Sequence, residues 1–295
     1  MTVETRPLCP AVGVEILGVD LRRMNAADFA AVERAWHQHS VILLRNQELS
    51  DDDLLAFSRR FGELDPPPNQ ERGRISPPGY PDVYVVSNVL DKKGDPIGAL
   101  GAGEAVWHTD MSYLDMPPDA SMLYALEIPP SGGNTWFCGM QAACDALPAE
   151  LRRRLGDRRV KHDGTYNSGG YLRKGVTPTD DPLAAPGAWH PAILRHPANG
   201  RPTLYLGRRR NSYIEGLPRE ESDALLEALW AHVTEPRFLY EHHWRLGDLL
   251  MWDNRSTMHR RDPFDASARR IMHRTQIKGS GKPIAASSHA HATSP

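Results

Sequence analysis

The feature that most limits the fold of this chain is its division into short β-like runs by proline and glycine turns. Residues 82–87, 121–128, 135–138, 192–195, 203–206, 249–252 and 270–278 each read as a strand, bounded by turn-forming residues. Val41 to Leu44 reads as one more, fully apolar and therefore buried. Many short strands in this arrangement predict a sandwich or jelly roll, a mainly β fold with flanking helices. Three helices are legible. Asn25 caps one running to about His37 with Phe29, Val32 and Trp36 on one face. Ser50, with Asp53 placed for a capping box, starts a second that ends near Gly62. A third, over about 219–233, carries Leu225, Leu226 and Leu229 on its apolar side. The stretches 65–81, 91–105 and 164–187 have little periodicity, as lids and binding loops do.

At 295 residues, 40% hydrophobic and 24% charged, the chain has ordinary globular composition. We read residues 1–279 as a single domain, large enough to bury catalytic groups in a dry cavity. Residues 280–295, rich in Gly, Ser, Ala and His, read as a loose tail in which His289 and His291 are solvated. A net charge of −2 predicts no attraction to nucleic acid or to an acidic membrane surface. No apolar run approaches the ~20 residues of a membrane span, and the N-terminus carries no secretory pattern. Cys9, Cys138 and Cys144 form no CxxC and read as reduced thiols of a cytoplasmic protein.

Candidate chemistry begins at Trp107-His108-Thr109-Asp110. In an extended segment His108 and Asp110 point the same way, so an imidazole and a carboxylate can meet one metal. With 13 histidines, about one His-x-Asp arises by chance, so the pair taken alone reads first as a hydrogen-bonded surface pair. The second segment is Trp252-Asp253-Asn254-Arg255-Ser256-Thr257-Met258-His259. There His259, just past an apolar strand, is held at a barrel mouth where it can complete the set. Two His and one carboxylate cover one face of iron(II) and leave the other open. On the strand that follows, Arg270, Met272 and Arg274 share one face, and Ile271 and His273 the other. Two arginines about 13 Å apart, at ~3.3 Å per residue, are costly to bury without anions, and the guanidinium fork matches a carboxylate. A solvated edge strand is the alternative for these arginines. His273 is read as structural.

WHTD at 107–110, GGNT at 132–135, WDNR-x3-H ending at His259 and RRIMHR at 269–274 resemble the taurine dioxygenase family, which also includes herbicide-cleaving and alkylsulfatase members. FSRRFGEL at 57–64 and HPAILRHP at 190–197 extend the likeness across most of the chain. The resemblance implies a double-stranded β-helix (jelly-roll, cupin-like) core. It implies iron(II) on His108, Asp110 and His259, 2-oxoglutarate and O2 as co-substrates, and hydroxylation of a small molecule. It further implies that Arg270, helped by Thr135, grips the distal carboxylate of 2-oxoglutarate. Arg274 in such enzymes faces the substrate anion or the metal-bound end of the co-substrate. Asp110 as a full carboxylate ligand disfavours halogenation. Family members are often dimers or tetramers, so a homo-oligomer is expected.

The sequence departs from the taurine enzyme where that enzyme binds taurine. Asp65-Pro66-Pro67-Pro68-Asn69-Gln70 lacks its His and Tyr, and Glu104 replaces an asparagine. The expected substrate is therefore another anionic or zwitterionic molecule: a sulfonate, sulfate ester, aryloxy acid or amino acid. Glu104 and Tyr113 are candidate substrate contacts, against readings as a solvated carboxylate and a core tyrosine. Arg208-Arg209-Arg210 is read as exposed. A zinc hydrolase with the same ligands, or a metal-binding jelly roll without catalysis, are the competing readings. The first lacks HExxH and gives the paired arginines no purpose.

Overall fold

A computed structural model describes residues 3–67, 76–103, 105–207 and 210–287 of the chain. Strands β1 (Glu4–Pro7) and β2 (Val14–Leu17) lead into helix α1 (Ala26–His39), strand β3 (Val41–Leu44) and helix α2 (Asp51–Ser58). Strands β4 (Tyr84–Ser87), β5 (Ala99–Leu100), β6 (Ala105–His108), β7 (Ala120–Glu127) and β8 (Thr135–Gly139) follow. Two short helices, α3 (Met140–Asp145) and α4 (Ala149–Leu155), precede β9 (Arg159–Asp163), β10 (Gly187–Pro191), β11 (Ile193–Arg195), β12 (Pro202–Leu204) and β13 (Tyr213–Ile214). Helix α5 (Arg219–Val233) then returns the chain to β14 (Leu239–His242), β15 (Leu249–Asp253), β16 (Thr257–Arg261) and β17 (Ile271–Ile277).

The strands form a jelly roll from two main sheets. The larger has the order β1-β2-β3-β15-β7-β17-β4-β5, and the smaller β14-β8-β16-β6. Alternation decides what each face meets. Ile42, Leu44, Met122, Tyr124, Leu249 and Met251 pack outward against Val32 and Trp36 of α1 and Leu54 and Phe57 of α2. Their neighbours Val41, Leu43, Leu123, Ala125, Leu250, Trp252 and Met272 turn inward and meet Phe137 of the smaller sheet. On that sheet Cys138 and Met258 face outward, under Leu225, Leu226 and Leu229 of α5. Each fully buried Leu or Ile contributes about 1.5–3 kcal/mol. A one-residue slip of β15 would turn both of its faces over at once, so the register is strongly specified.

The caps form as the sequence predicts. The Asn25 side chain accepts from the Asp28 N–H, and Ser50 with Asp53 makes the full capping box. Helix α2 stops at Ser58 rather than near Gly62, because residues 59–62 turn away. Strands β1, β2, β9, β10, β13 and β14 and helices α3 and α4 carry no clear period and appear only in the fold. For residues 280–287 the expectation of a loose tail is corrected. Arg195 and Ala286 exchange backbone bonds with their partners at Ile284 and Ile193, and Lys282 pairs with Asp115 at 2.8 Å. Residues 284–286 therefore run antiparallel beside β11 and pair with it; His289 and His291 lie outside the described residues.

Candidate active site

The candidate metal-ligating set assembles on the inner face of the smaller sheet. His259 is not just past a strand but in the middle of β16, opposite His108 of β6 and Phe137 of β8. The turn between β15 and β16 carries the chain from the larger sheet to the smaller. Asp253 holds it, accepting from the Arg255 N–H at 2.8 Å and the Thr257 hydroxyl at 2.7 Å. Strand β6 ends at His108, and Asp110 enters on the following turn while the Thr109 side chain turns away to the Thr257 carbonyl. The ligand atoms of His108, Asp110 and His259 lie within 4.8 Å of one another, and all three residues are buried. Among the described residues no other trio of His, Cys, Asp or Glu converges in this way.

Neighbours fix how each ligand is presented. His108 Nδ1 lies 2.7 Å from the Val106 carbonyl. A carbonyl only accepts, so that nitrogen carries the proton and Nε2 keeps its lone pair. Both Nε2 atoms face Asp110 Oδ1, at 3.6 Å from His108 and 3.8 Å from His259. The other oxygen, Oδ2, accepts from Ser121 Oγ at 2.8 Å and Arg274 Nη2 at 2.7 Å. Burial alone would raise the Asp110 carboxyl, but Arg274, His259 and His108 outweigh it and hold the group well below the usual carboxylate range. Two imidazole nitrogens and one carboxylate oxygen on one side form the facial set that suits iron(II).

Arg270 enters the same cavity from just before β17. It is 1% exposed, and its Nε and Nη1 have no hydrogen-bond partner. Burial, then the neighbouring Arg261, push this guanidinium down to about 9. A buried cation with free donors is a site for an anion. Thr135 lies buried at the start of β8, where its Oγ1 accepts from Trp244 Nε1 at 3.0 Å. The glycines of GGNT are sterically required. Gly132 has φ +74°, and a Cβ there would lie 2.8 Å from the Pro263 carbonyl.

The other predicted residues distribute unevenly. Arg274 faces Asp110 and Ser121, so it braces a ligand carboxylate rather than standing open. Tyr113 does not line the cavity, a correction to its expected place. Its ring lies under the Arg173 guanidinium, 4.0 Å away, and Arg173 takes the lining position. Glu104 lies outside the described residues, as do Arg208 and Arg209; Arg210 is exposed and pairs with Asp180. His273 is structural, bonded to Asp51 at the start of α2. Sequence reasoning missed Arg261, Trp244 and Arg173. Position i+2 from His259 on a strand was the available signal for Arg261; Trp244 and Arg173 had none.

The cavity has a volume of about 810 Å³. The metal set, Thr135, Arg261, Arg270 and Arg274 line its interior, and Leu90, Pro96, Leu100, Tyr171, Leu172, Arg173 and Lys174 line it from the loops. Asp110 is the one carboxylate among the described lining residues.

Comparison with known proteins agrees with this geometry. The sequence matches the family described as taurine catabolism dioxygenase TauD, TfdA, over residues 4–276. It is 36% identical to the alpha-ketoglutarate-dependent 2,4-dichlorophenoxyacetate dioxygenase of Cupriavidus pinatubonensis, over 93% of this chain and 97% of that protein. It is 29% identical to the (S)-phenoxypropionate/alpha-ketoglutarate-dioxygenase of Delftia acidovorans, over 94% and 96%. The crystal structure of AAD-2 in complex with Mn(II) and N-oxalylglycine aligns with a TM-score of 0.78 at 30% identity, covering 96% of this chain and 100% of that one. A jelly roll, a facial metal set and a match along nearly the whole chain lead to one conclusion: the protein belongs to the TauD, TfdA family of 2-oxoglutarate-dependent iron dioxygenases.

Proposed function

We propose that residues 1–279 work as one catalytic unit in which His108, Asp110 and His259 hold iron(II), while Arg270 and Thr135 bind the distal carboxylate of 2-oxoglutarate. The prime substrate is an organic anion with an apolar body, of the aryloxy acid type, and it is hydroxylated with succinate and CO2 as co-products. Bound iron, with 2-oxoglutarate and O2, supplies an oxidant able to place oxygen on an unactivated carbon. The observation that carries the reading is the unpaired, buried guanidinium of Arg270 in the same cavity as the three converging ligands.

The chain's own groups do the positioning. The Val106 carbonyl selects the His108 tautomer, and Ser121 with Arg274 occupies Asp110 Oδ2, leaving Oδ1 toward the histidines. Trp252 packs 4.8 Å from the His259 ring and fixes its tilt. Thr135 Oγ1 already accepts from an indole N–H, which is a donor only. Its own hydrogen is therefore available to a carboxylate oxygen in the cavity. The apolar loop residues Leu90, Pro96, Leu100 and Leu172 offer a water-poor surface to a hydrophobic body, and Arg173 and Lys174 offer charge to its anion. Asp110 is already engaged with Arg274, so the described lining keeps no carboxylate free for an ammonium group, which disfavours a zwitterion. The relatives named for phenoxy acids support this class. Hydroxylation at a carbon bearing oxygen gives a hemiacetal, which collapses with C–O cleavage.

Purified protein with iron(II) and ascorbate, screened against aryloxy acids, sulfate ester, sulfonate and amino acid panels, is expected to form succinate fastest with the aryloxy acids. Arg270→Ala should lower 2-oxoglutarate-dependent succinate formation roughly 10²- to 10³-fold with iron still bound. Unchanged turnover in that variant defeats the reading. We also place the protein in the cytoplasm as a homodimer or homotetramer. Three free cysteines support the compartment, and the exposed edge strand β1 offers a pairing edge for assembly. No helix among the described residues is long and apolar enough to cross a membrane.

A further inference from the structure

The cavity holds more positive charge at one end than a single carboxylate uses. Arg261 stands two residues beyond His259 on β16, so both side chains leave the same face of the strand. Its cross-strand partner on β8 is Thr135, the residue bonded to Trp244. Arg261 is 8% exposed. Its Nη2 donates to the Leu100 carbonyl at 3.1 Å and to the Gly103 carbonyl, while its buried Nε has no partner. Phe264 packs against both cations, its ring centroid 5.5 Å from the Arg261 guanidinium carbon and 6.0 Å from that of Arg270. Among the described residues no carboxylate pairs with either. Arg274, by contrast, has Asp110.

Two guanidiniums buried around one ring repel each other and destabilise the fold until an anion joins them. Backbone carbonyls meet part of the hydrogen bonding of Arg261 but none of its charge. We infer that Arg261 is a second cation at the distal-carboxylate site, making this pocket select dicarboxylate 2-oxo acids by charge. The inference rests on the reading that Arg270 and Thr135 hold that carboxylate. Register favours this use over binding of the prime substrate. The inner face of the smaller sheet carries one row of His108, His259 and Phe137 and the next of Ala105, Arg261 and Thr135. Arg261 thus belongs to the row of Thr135, one step removed from the metal set.

Calorimetric titration of the iron(II)-loaded protein without oxygen tests this. 2-Oxoglutarate is compared with 2-oxovalerate, which has the same chain length and no distal carboxylate. Arg261→Gln is expected to weaken 2-oxoglutarate roughly 10- to 100-fold and 2-oxovalerate by less than about 3-fold, with Arg261→Lys recovering part of the loss. Equal weakening of both ligands would mean that Arg261 only ties the loop at Leu100 and Gly103, and unchanged 2-oxoglutarate affinity would mean that it serves another ligand; either result overturns the inference. Arg270→Gln serves as the control. If that variant binds 2-oxoglutarate normally, the distal-site reading itself has failed; if it does not, an intact affinity in Arg261→Gln isolates the failure to Arg261. Wild-type protein gives an arm that needs no folded variant. 2-Oxoglutaramate, whose distal group is a neutral amide, should bind at least about 100-fold more weakly than 2-oxoglutarate, and a difference below about 10-fold counts against two cations.

Discussion

Asp253 and Arg270 are both fully buried charges near the ends of inner strands, and the fold treats them in opposite ways. Asp253 closes the turn between the sheets with every oxygen engaged. Oδ1 accepts from Arg255 at 2.8 and 2.9 Å, and Oδ2 from Arg255 Nη2 at 2.6 Å and His196 Nε2 at 2.9 Å. Arg255 in turn reaches Asp119 at 3.2 Å. Burial alone would raise the Asp253 carboxyl, yet Arg255 and His196 outweigh it and hold it well below its ordinary range. Among the described residues Arg270 has no such partners, and burial works against its charge unopposed. A charge the fold completes itself serves structure; a charge left incomplete in a cavity serves a ligand.

The largest effect that separates the two is expected from Asp253→Asn, which leaves Arg255 and His196 facing a neutral group. It should cost about 3–5 kcal/mol, read from urea unfolding at neutral pH. Arg270→Leu should do the reverse in ligand-free protein, raising stability by about 1–4 kcal/mol, because an uncompensated cation is removed. Wild type should also gain about 2.7 kcal/mol from ligand at a hundred times its dissociation constant, a thermal shift that Arg270→Leu loses. A destabilised Arg270→Leu would collapse the contrast.

Acidification sharpens it further. The Asp253 carboxyl is depressed in the folded state, so its contribution is fully present above the ordinary carboxylate pKa of about 3.9 and is lost as pH falls below it. The stability gap between wild type and Asp253→Asn should therefore hold from pH 7 to about 5 and narrow below about 4. A gap that stays constant to pH 3 would show that the carboxylate is not the source. The smallest effect expected is that of Trp244→Phe. Losing one neutral hydrogen bond to Thr135 should raise KM for 2-oxoglutarate by about 2- to 12-fold, equivalent to about 0.5–1.5 kcal/mol, and leave kcat unchanged.

Much of the site was legible before the fold. Thr135 and His259 stand in motifs whose neighbours have their own fixed tasks: Gly132 for a left-handed turn, Asp253 and Arg255 for the corner. The helix caps at Asn25 and Ser50 were legible because capping is a contact between residues three apart. Strands β9, β10 and β13 were not, since they alternate weakly and gain their partners from distant segments. Tyr113 was misplaced because a loop residue has no period to say which way its side chain turns.

The sequence by itself determined the elements with strong local signals, the inward face of the β17 strand and the motifs that carry His108, Asp110 and His259, because chemistry and periodicity are written within a few residues of each. Only the tertiary structure decided that Asp110 spends one oxygen on Ser121 and Arg274, that Trp244 bonds Thr135, and that Arg261 stands beside Thr135 with no counter-charge among the described residues. Those facts depend on which strands become neighbours, and cross-strand register is set by burial over the whole molecule rather than by any stretch of chain.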